Sequence, residues 1–152
     1  CRSRNWYQDA KSARGVKLTE IYTDQLTNKQ VISVTMPVVQ NGQFIGVLLG
    51  DIPLGEVITA VNNMRFAGGA ATLSDKNAVF FASDDPTDIG RTPSQISPTF
   101  QVMERMFFNQ QSGHLTFPYL GIQFDGYFER VNLGSGMYWT LMVFVVHTLH
   151  YF

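Results

Sequence analysis

The dipeptide Asn41-Gly42 lies between two apolar, β-branched runs, and it constrains the fold of this chain more than any other feature. Asparagine and glycine both tolerate the left-handed backbone that a two-residue hairpin turn requires. The flanking segments, 31–36 and 44–49, have the composition of strands. We therefore expect an antiparallel hairpin in this part of the chain.

Helical spacing is found on both sides of the hairpin. Residues 4–13 repeat apolar side chains at helical intervals, and Gly15 follows as a residue that ends helices. After the hairpin, Pro53 is expected in the first turn of a second helix that continues over 54–61. This reading predicts that Asp51 lies at the end of a strand, just before that helix.

A second pattern begins after the Gly68-Gly69 pair. It predicts strands over 70–73 and 78–82, a polar, Pro-rich loop over 84–98, a helix near 100–107, and strands over 114–118, 123–132 and 138–145. Two strands, a helix and three strands are the order of a small PAS-like module. The predicted fold class is therefore α+β, with antiparallel sheets.

Composition excludes several classes of protein. The 152 residues are 45% hydrophobic and 15% charged with a net charge of -1, so the chain can bury a core and carries no basic stripe for nucleic acid. Cys1 is the single cysteine, which excludes an internal disulfide and a cysteine-based zinc site.

The opening residues resemble those of a chain entered midway, so we expect a piece of a longer protein. Residues 137–152 are nearly all apolar but short for a membrane span, and they are expected to contain a buried strand followed by its continuation or the approach to a membrane segment.

The side chains best suited to bind a ligand are one fixed cation, three aromatic rings and two carboxylates. They are Arg4, Trp6, Tyr7, Tyr22, Asp24 and Asp51. A zwitterion needs a donor fork for its carboxylate, acids for its ammonium group and apolar walls that exclude water. We therefore predict a site for a small molecule that carries both charges.

These residues also belong to motifs that resemble a known family, the double Cache extracellular sensor domains of bacterial methyl-accepting chemotaxis receptors, and its amino-acid-binding subgroup in particular. The similar segments are Arg4-x-Trp6-Tyr7-x-x-Ala10, Tyr22-x-Asp24, Val31 to Val38 with Pro37, Ile45-Gly46-Val47 leading to Gly50-Asp51-Ile52, Leu73-Ser74-Asp75, the loop 83–90, and Tyr138-Trp139-Thr140-Leu141.

The resemblance implies roles for the site residues. The counterparts of Arg4 and Trp6 bind the ligand carboxylate, and those of Tyr7, Tyr22, Asp24 and Asp51 surround its α-amino group. It also implies two modules, the C-terminal part of a membrane-distal one over 1–66 and a complete membrane-proximal one over 67–152. The whole receptor would be a homodimer in the inner membrane with this domain on the periplasmic side, binding a free amino acid without a cofactor and without enzymatic activity.

Each site residue also has a purely structural interpretation. In this interpretation Arg4 is a solvated cation at a helix end, and Trp6 and Tyr7 are core residues. Asp24 precedes a predicted turn at 27–28 and caps a backbone N–H, and Asp51 caps the helix that follows it.

The remaining polar clusters predict no metal and no catalysis. Asp84, Asp85 and Asp88 lack the spacing of a calcium loop, and His114, His147 and His150 are scattered. No Gly-x-Ser-x-Gly motif is present. The alternatives left open are a sensor module of a histidine kinase or cyclic-dinucleotide enzyme that binds another amine or carboxylate, a structural module with a vestigial pocket, and, least favoured, a hydrolase.

Overall fold

The computed structural model describes residues 2–148, so Cys1 and His150 lie outside the described residues. Contacts divide the chain into two compact units, one that ends at Glu56 and one that begins at Val57. Each unit combines helices with an antiparallel sheet, which confirms the predicted α+β class. The assignment of 1–66 and 67–152 to membrane-distal and membrane-proximal modules stays a prediction.

The first unit is a four-stranded sheet with one helix. Its elements are α1 (Asn5–Ser12), β1 (Lys17–Leu18), β2 (Tyr22–Thr23), β3 (Gln30–Gln40) and β4 (Gln43–Pro53). Strand β3 is central: β4 pairs along one edge, and the short strands β1 and β2 share the other. All pairs are antiparallel, and α1 packs against β3 and β4.

The predicted hairpin is confirmed. Asn41 and Gly42 form its turn with φ of 51° and 75°, the left-handed backbone expected of this dipeptide. The pairing then shifts register between Val38 and Val39, because Val38 pairs with Gly46 and Val39 pairs with Phe44. A bulge therefore leaves one extra residue in β4, and this irregularity decides which side chains share a face.

The junction after the hairpin differs from the prediction. Strand β4 continues through Asp51 to Pro53, which pairs with Val31, and helix α2 (Gly55–Asn62) begins only afterwards. Asp51 is therefore inside a strand rather than at its end. Pro53 fits this place because it is the last strand residue, where a missing N–H removes no bond from the middle of a ladder. The boundary between the two units falls within α2.

The second unit is a larger sheet with helices from the segment that connects β7 to β8. Its elements after α2 are β5 (Arg65–Phe66), β6 (Gly69–Ser74), β7 (Phe80–Ala82), α3 (Pro93–Ile96), α4 (Gln101–Asn109), β8 (Ser112–Tyr119), β9 (Ile122–Gly134) and β10 (Met137–Val146). The strand order is β5-β6-β10-β9-β8, with β7 on the same edge of β6 as β5. The predicted strands are confirmed, and the predicted loop over 84–98 contains the single-turn helix α3.

Aromatic packing against one face of this sheet forms the core of the second unit. Helix α4 buries Met103 and Phe107 there, because these side chains lie four residues apart on one helix face. The cluster also contains Ala78, Met142 and the phenylalanines at 80, 100, 117, 124 and 128. None of the helices between residues 2 and 148 is long and apolar enough to cross a membrane.

Candidate functional site

Three polar side chains meet on the sheet of the first unit. The Asp51 carboxylate accepts hydrogen bonds through Oδ1 from the Ser33 hydroxyl at 2.5 Å and from the Tyr22 hydroxyl at 3.1 Å. The two hydroxyl oxygens of Tyr22 and Ser33 are themselves 2.6 Å apart. Since both bonds converge on one oxygen, they fix the orientation of the carboxylate and leave Oδ2 for another donor.

The register of three strands produces this cluster. Ser33 pairs with Asp51 across β3 and β4, and Tyr22 pairs with Val31 on the other edge of β3. Paired residues share a face, and so do residues two apart on one strand. Tyr22, Val31, Ser33 and Asp51 therefore project from the same side of the sheet.

Burial differs sharply within the cluster. Ser33 is 0% exposed, whereas Asp51 is exposed and Tyr22 is half-buried. The backbone N–H of Ser33 donates to the Thr19 hydroxyl at 2.8 Å, so its position is fixed from the side of β1 and β2 as well. Burial raises the pKa of the Tyr22 hydroxyl, with smaller contributions from the charges of Asp51 and Asp24. Tyr22 thus remains a neutral donor at physiological pH.

Asp24 accepts hydrogen bonds within its own turn. Its Oδ2 atom accepts the Thr27 backbone N–H at 2.9 Å and the Thr27 hydroxyl at 2.6 Å. These two bonds hold the pKa of the Asp24 carboxyl below its usual range. The structural interpretation offered for Asp24 is therefore observed, while the carboxylate still lies close enough to Tyr22 to affect it electrostatically. Asp51, in contrast, does not cap helix α2.

Two rings of α1 contact each other, and one of them contacts the hairpin. Trp6 and Tyr7 contact edge to face at 5.8 Å, and Tyr7 contacts Phe44 in the same manner at 5.9 Å. The Lys11 ammonium lies 5.6 Å from the centre of the Phe44 ring. Trp6 and Tyr7 are both half-buried, so they combine packing with partial access to solvent.

The bulge in β4 places these rings on the face that carries Asp51. Phe44 pairs with Val39, and alternation along β3 puts Val39 on the same face as Ser33. Phe44 and Asp51 are seven residues apart, so in a regular strand they would face opposite sides. Because of the extra residue, Tyr7 packs on the side of the sheet from which Tyr22 and Asp51 project.

Arg4 occupies the position that begins α1. Its backbone carbonyl accepts from the N–H groups of Tyr7 and Gln8 at 3.0 and 3.2 Å. Within residues 2–148, its half-buried guanidinium makes no hydrogen bond or ion pair. The five donors of this side chain are thus available to a ligand.

Sequence reasoning missed Ser33 and Phe44. Ser33 is a polar residue inside an apolar run, which is a signal for a buried hydrogen bond, but its partner depends on register. A regular continuation of the two-residue turn would pair Asp51 with Ile32 and turn it to the other face. The bulge moves the pairing by one residue, and no local sequence signal indicates it.

Metal-ligating side chains form no candidate site in the described range. No group of three or more His, Cys, Asp or Glu side chains between residues 2 and 148 is placed to hold a metal ion. Two of the histidines are nevertheless close together, because Asp125 contacts His147 Nδ1 at 2.6 Å and His114 Nε2 at 3.4 Å. These contacts tie β8 and the end of β10 to β9 in the second unit.

Comparison with known proteins identifies related sensor domains. Residues 1–59 match the family described as methyl-accepting chemotaxis protein-like, first PDC sensor domain. These residues are therefore similar to a sensor domain of the methyl-accepting chemotaxis type. The resemblance to chemoreceptor sensor domains that the sequence carries is thereby confirmed.

Relatives and solved structures extend the similarity along the chain. The methyl-accepting chemotaxis protein McpG of Pseudomonas putida is 33% identical over 98 residues, which are 64% of this chain and 15% of McpG. The solved ligand-binding domain of Mlp24 with asparagine superposes with a TM-score of 0.76 at 28% identity, over 95% of this chain and 56% of that one. The PctB domain of Pseudomonas aeruginosa in complex with L-Arg gives 0.70 at 28% identity, over 95% and 60%. The matched part of this chain therefore covers 15% of McpG, and 56% and 60% of the two solved domains.

Proposed function

We propose that this chain is part of the extracytoplasmic ligand-binding domain of a bacterial chemoreceptor and that it recognises a free amino acid. The observation that supports this most is the Asp51 carboxylate, which Tyr22 and Ser33 orient while one of its oxygens stays open. An oriented carboxylate with a free oxygen is a suitable partner for an ammonium group. Two similar domains have been solved with asparagine and with L-Arg, which are free amino acids.

In this proposal, the six site residues act on different groups of the ligand. Arg4 takes the ligand carboxylate, because a guanidinium can donate two parallel N–H bonds, and Trp6 lies two residues away on the same helix. Asp51 takes the ammonium, with Tyr22 as its orienting neighbour. Tyr7 forms an apolar wall on that face, and Asp24 adds negative potential from its turn.

In this proposal, signalling arises because the two charged ends of the ligand contact different elements of the protein. A ligand whose two charged ends contact α1 and β4 favours arrangements in which both contacts form, and its effect is limited by the difference in its affinity for the two states. We place residues 1–66 in the membrane-distal module and 67–152 in the membrane-proximal one of a homodimeric inner-membrane receptor, with this domain on the periplasmic side. In this proposal the chain is a binding module that uses no cofactor and catalyses no reaction.

Calorimetry with three small molecules tests the charge requirement. Alanine, ethylamine and propionate share a short apolar group. Alanine carries both charges, ethylamine carries only the positive charge, and propionate carries only the negative charge. A thermal-shift screen of the twenty amino acids first identifies the best ligand, because a ligand that binds the folded state raises the melting temperature by mass action. We expect an amino acid to bind and both of its truncated analogues to fail.

Two matched variants test the role of Asp51. Asp51→Asn keeps the shape of the side chain and removes its charge, so amino-acid affinity should fall about tenfold or more. Asp9→Asn makes the same change at an exposed position of α1 and should leave affinity unchanged. Equal binding by all three proteins would refute the assigned site, and the absence of a shift with any amino acid would favour a structural module with a vestigial pocket.

A further inference from the structure

The second unit contains a cavity of about 570 Å³ that has no part in the proposed amino-acid site. Its interior is built from aromatic and thioether side chains: Phe80, Phe100, Phe117, Phe124, Phe144, Met103 and Met142. Several of these rings contact one another, for example Phe100 with Phe117 at 5.4 Å. The volume falls in the range of sites for small organic molecules, and such an interior favours an apolar body.

Acidic side chains stand at the margin of this cavity. Asp84, Asp85 and Asp88 all line it, and Asp85 and Asp88 are half-buried whereas Asp84 is exposed. Burial raises the pKa of the Asp88 carboxyl, although its Oδ2 accepts a hydrogen bond from the Ser83 hydroxyl at 3.1 Å. A desolvated carboxylate next to an aromatic interior is stabilised by a cation that binds beside it.

The nearby cations are already engaged with the protein. Arg65 lines the cavity, but its Nη1 donates to the carbonyls of Asn62 at 2.7 Å and Met64 at 2.9 Å. Its Nη2 is 4.0 Å from Asp84. Arg91, which lowers the pKa of Asp88 through its charge, donates to the Gln95 carbonyl. An incoming carboxylate would thus meet three acids and two guanidinium groups that already have partners.

An unpartnered hydroxyl gives independent support for a ligand. Thr72 lines the cavity and is 5% exposed, yet its Oγ1 atom has no hydrogen-bond partner among the described residues. Thr72 pairs with Met142 across β6 and β10, so both side chains lie on the sheet face that forms the cavity floor. A buried hydroxyl without a partner is uncommon, and a polar atom of a bound molecule would satisfy it.

We propose that this cavity binds a small organic cation with an aromatic or aliphatic body, with its ammonium group beside Asp88 and its body against the phenylalanine rings. The site differs in chemistry from the one in the first unit. In the first unit, a free guanidinium and a carboxylate with one free oxygen suit a zwitterion. In the second unit, the acids lie at the margin of an apolar interior, and the arginines beside them already have hydrogen-bond partners. The two sites therefore select different ligands.

Phenethylamine is a suitable probe, because it joins a phenyl ring to an ammonium group through a short chain. Its matched controls are 3-phenylpropionate, with the opposite charge, and 2-phenylethanol, with none. Calorimetry on the 152-residue chain should give saturable binding of phenethylamine and at least about tenfold weaker binding of both controls. Equal affinity for all three would overturn the charge selection, and no saturable binding of phenethylamine would overturn the site.

Variants locate the binding. Asp88→Asn should weaken phenethylamine about tenfold, whereas Glu129→Gln removes one negative charge from an exposed position of β9 outside the cavity and should change nothing. Asp51→Asn should weaken amino-acid binding about tenfold or more without affecting phenethylamine, so failure of one site is distinguished from failure of the other. If Asp88→Asn does not fold, the three ligands on the unaltered chain still decide the proposal.

Discussion

The two units of this chain bury different kinds of side chain. In the described part of the first unit, the buried apolar residues are Ala10, Val31, Ile32 and Leu54, none of them aromatic. The second unit buries phenylalanine at positions 80, 81, 100, 107, 117, 124 and 128, together with Trp139. Aromatic side chains bury the largest areas and dominate the energy of a core. The second unit therefore carries most of the hydrophobic stabilisation.

The first unit buries few apolar side chains, so polar residues make up a larger share of its buried positions. Ser33 and Thr35 are 0% and 1% exposed in the central strand, while Val39, Ile45 and Leu48 are 58%, 59% and 62% exposed in the hairpin. Strand pairing and hydrogen bonds thus position the candidate site more than apolar packing does. The comparison shows that one unit supplies a core and the other supplies an oriented carboxylate.

The largest expected effect comes from removing an aromatic ring from the core of the second unit. Phe107 is 2% exposed and contacts Phe128 at a ring distance of 5.0 Å. Phe107→Ala should lower the free energy of unfolding by about 3–5 kcal/mol, because it removes buried area and leaves a cavity. Its neighbour Phe108 is 45% exposed, so Phe108→Ala should cost about 1 kcal/mol or less. Urea denaturation measures both, and equal losses would contradict the assignment of the core.

Hydrogen exchange compares the two units directly. The amides of β9 and β10, which pair over ten residues next to the aromatic core, should exchange only through the largest opening events. The amides of β3 and β4 pair over a similar length but have less apolar burial around them. We expect their opening free energies to be lower by about 2 kcal/mol or more. Equal protection in both hairpins would show that strand pairing alone sets the stability.

The fold could be predicted from sequence where the signal is local. Asn41-Gly42 fixed the position of the first hairpin, because few dipeptides adopt two consecutive left-handed conformations. The apolar spacing around Met103 and Phe107 likewise predicted α4. The position of Pro53 could not be predicted, since a proline suits the end of a strand as well as the first turn of a helix, and nothing local distinguishes the two places.

The candidate site was harder to predict, because it depends on register. The residue types of Tyr22 and Asp51 indicated chemistry, but their meeting at Ser33 requires a one-residue shift at the bulge. Bulges follow from packing across the whole sheet, so a single sequence does not reveal them. Asp24 illustrates the opposite case: its contact with Thr27 is local, and it was foreseen as the structural alternative.

A smaller change tests whether hydrogen bonds hold the first unit together. Ser33→Ala removes the 2.5 Å bond to Asp51 and leaves the Tyr22 hydroxyl with one partner fewer. It should cost about 1–2 kcal/mol in the first unit and weaken amino-acid binding, because the carboxylate loses an orienting donor. Ser12→Ala, at an exposed position of α1, should cost less than about 0.5 kcal/mol. Loss of binding without loss of local stability would restrict Ser33 to a positioning role.

Each unit also contains an aspartate whose pKa is lowered, and this gives the smallest expected effect. In the first unit, the Thr27 hydroxyl and backbone N–H lower the pKa of Asp24. In the second unit, the Thr116 hydroxyl and then His147 lower the pKa of Asp125. A carboxyl group with a lower pKa when folded stabilises the protein above its ordinary pKa, and that contribution is lost as the pH falls through the folded value.

The two aspartates are separable because they lie in different units. As the pH falls below about 5, both contributions should begin to decline, since the ordinary pKa of aspartate is 3.8. Asp125→Asn should flatten the acid limb of global unfolding, because the second unit dominates stability. Asp24→Asn should flatten only the pH dependence of opening in the first unit, observed by hydrogen exchange at β3. If Asp24→Asn instead altered global unfolding as strongly as Asp125→Asn, the two units would unfold as one, and the contrast between a stabilising core and a separately held site would have to be abandoned.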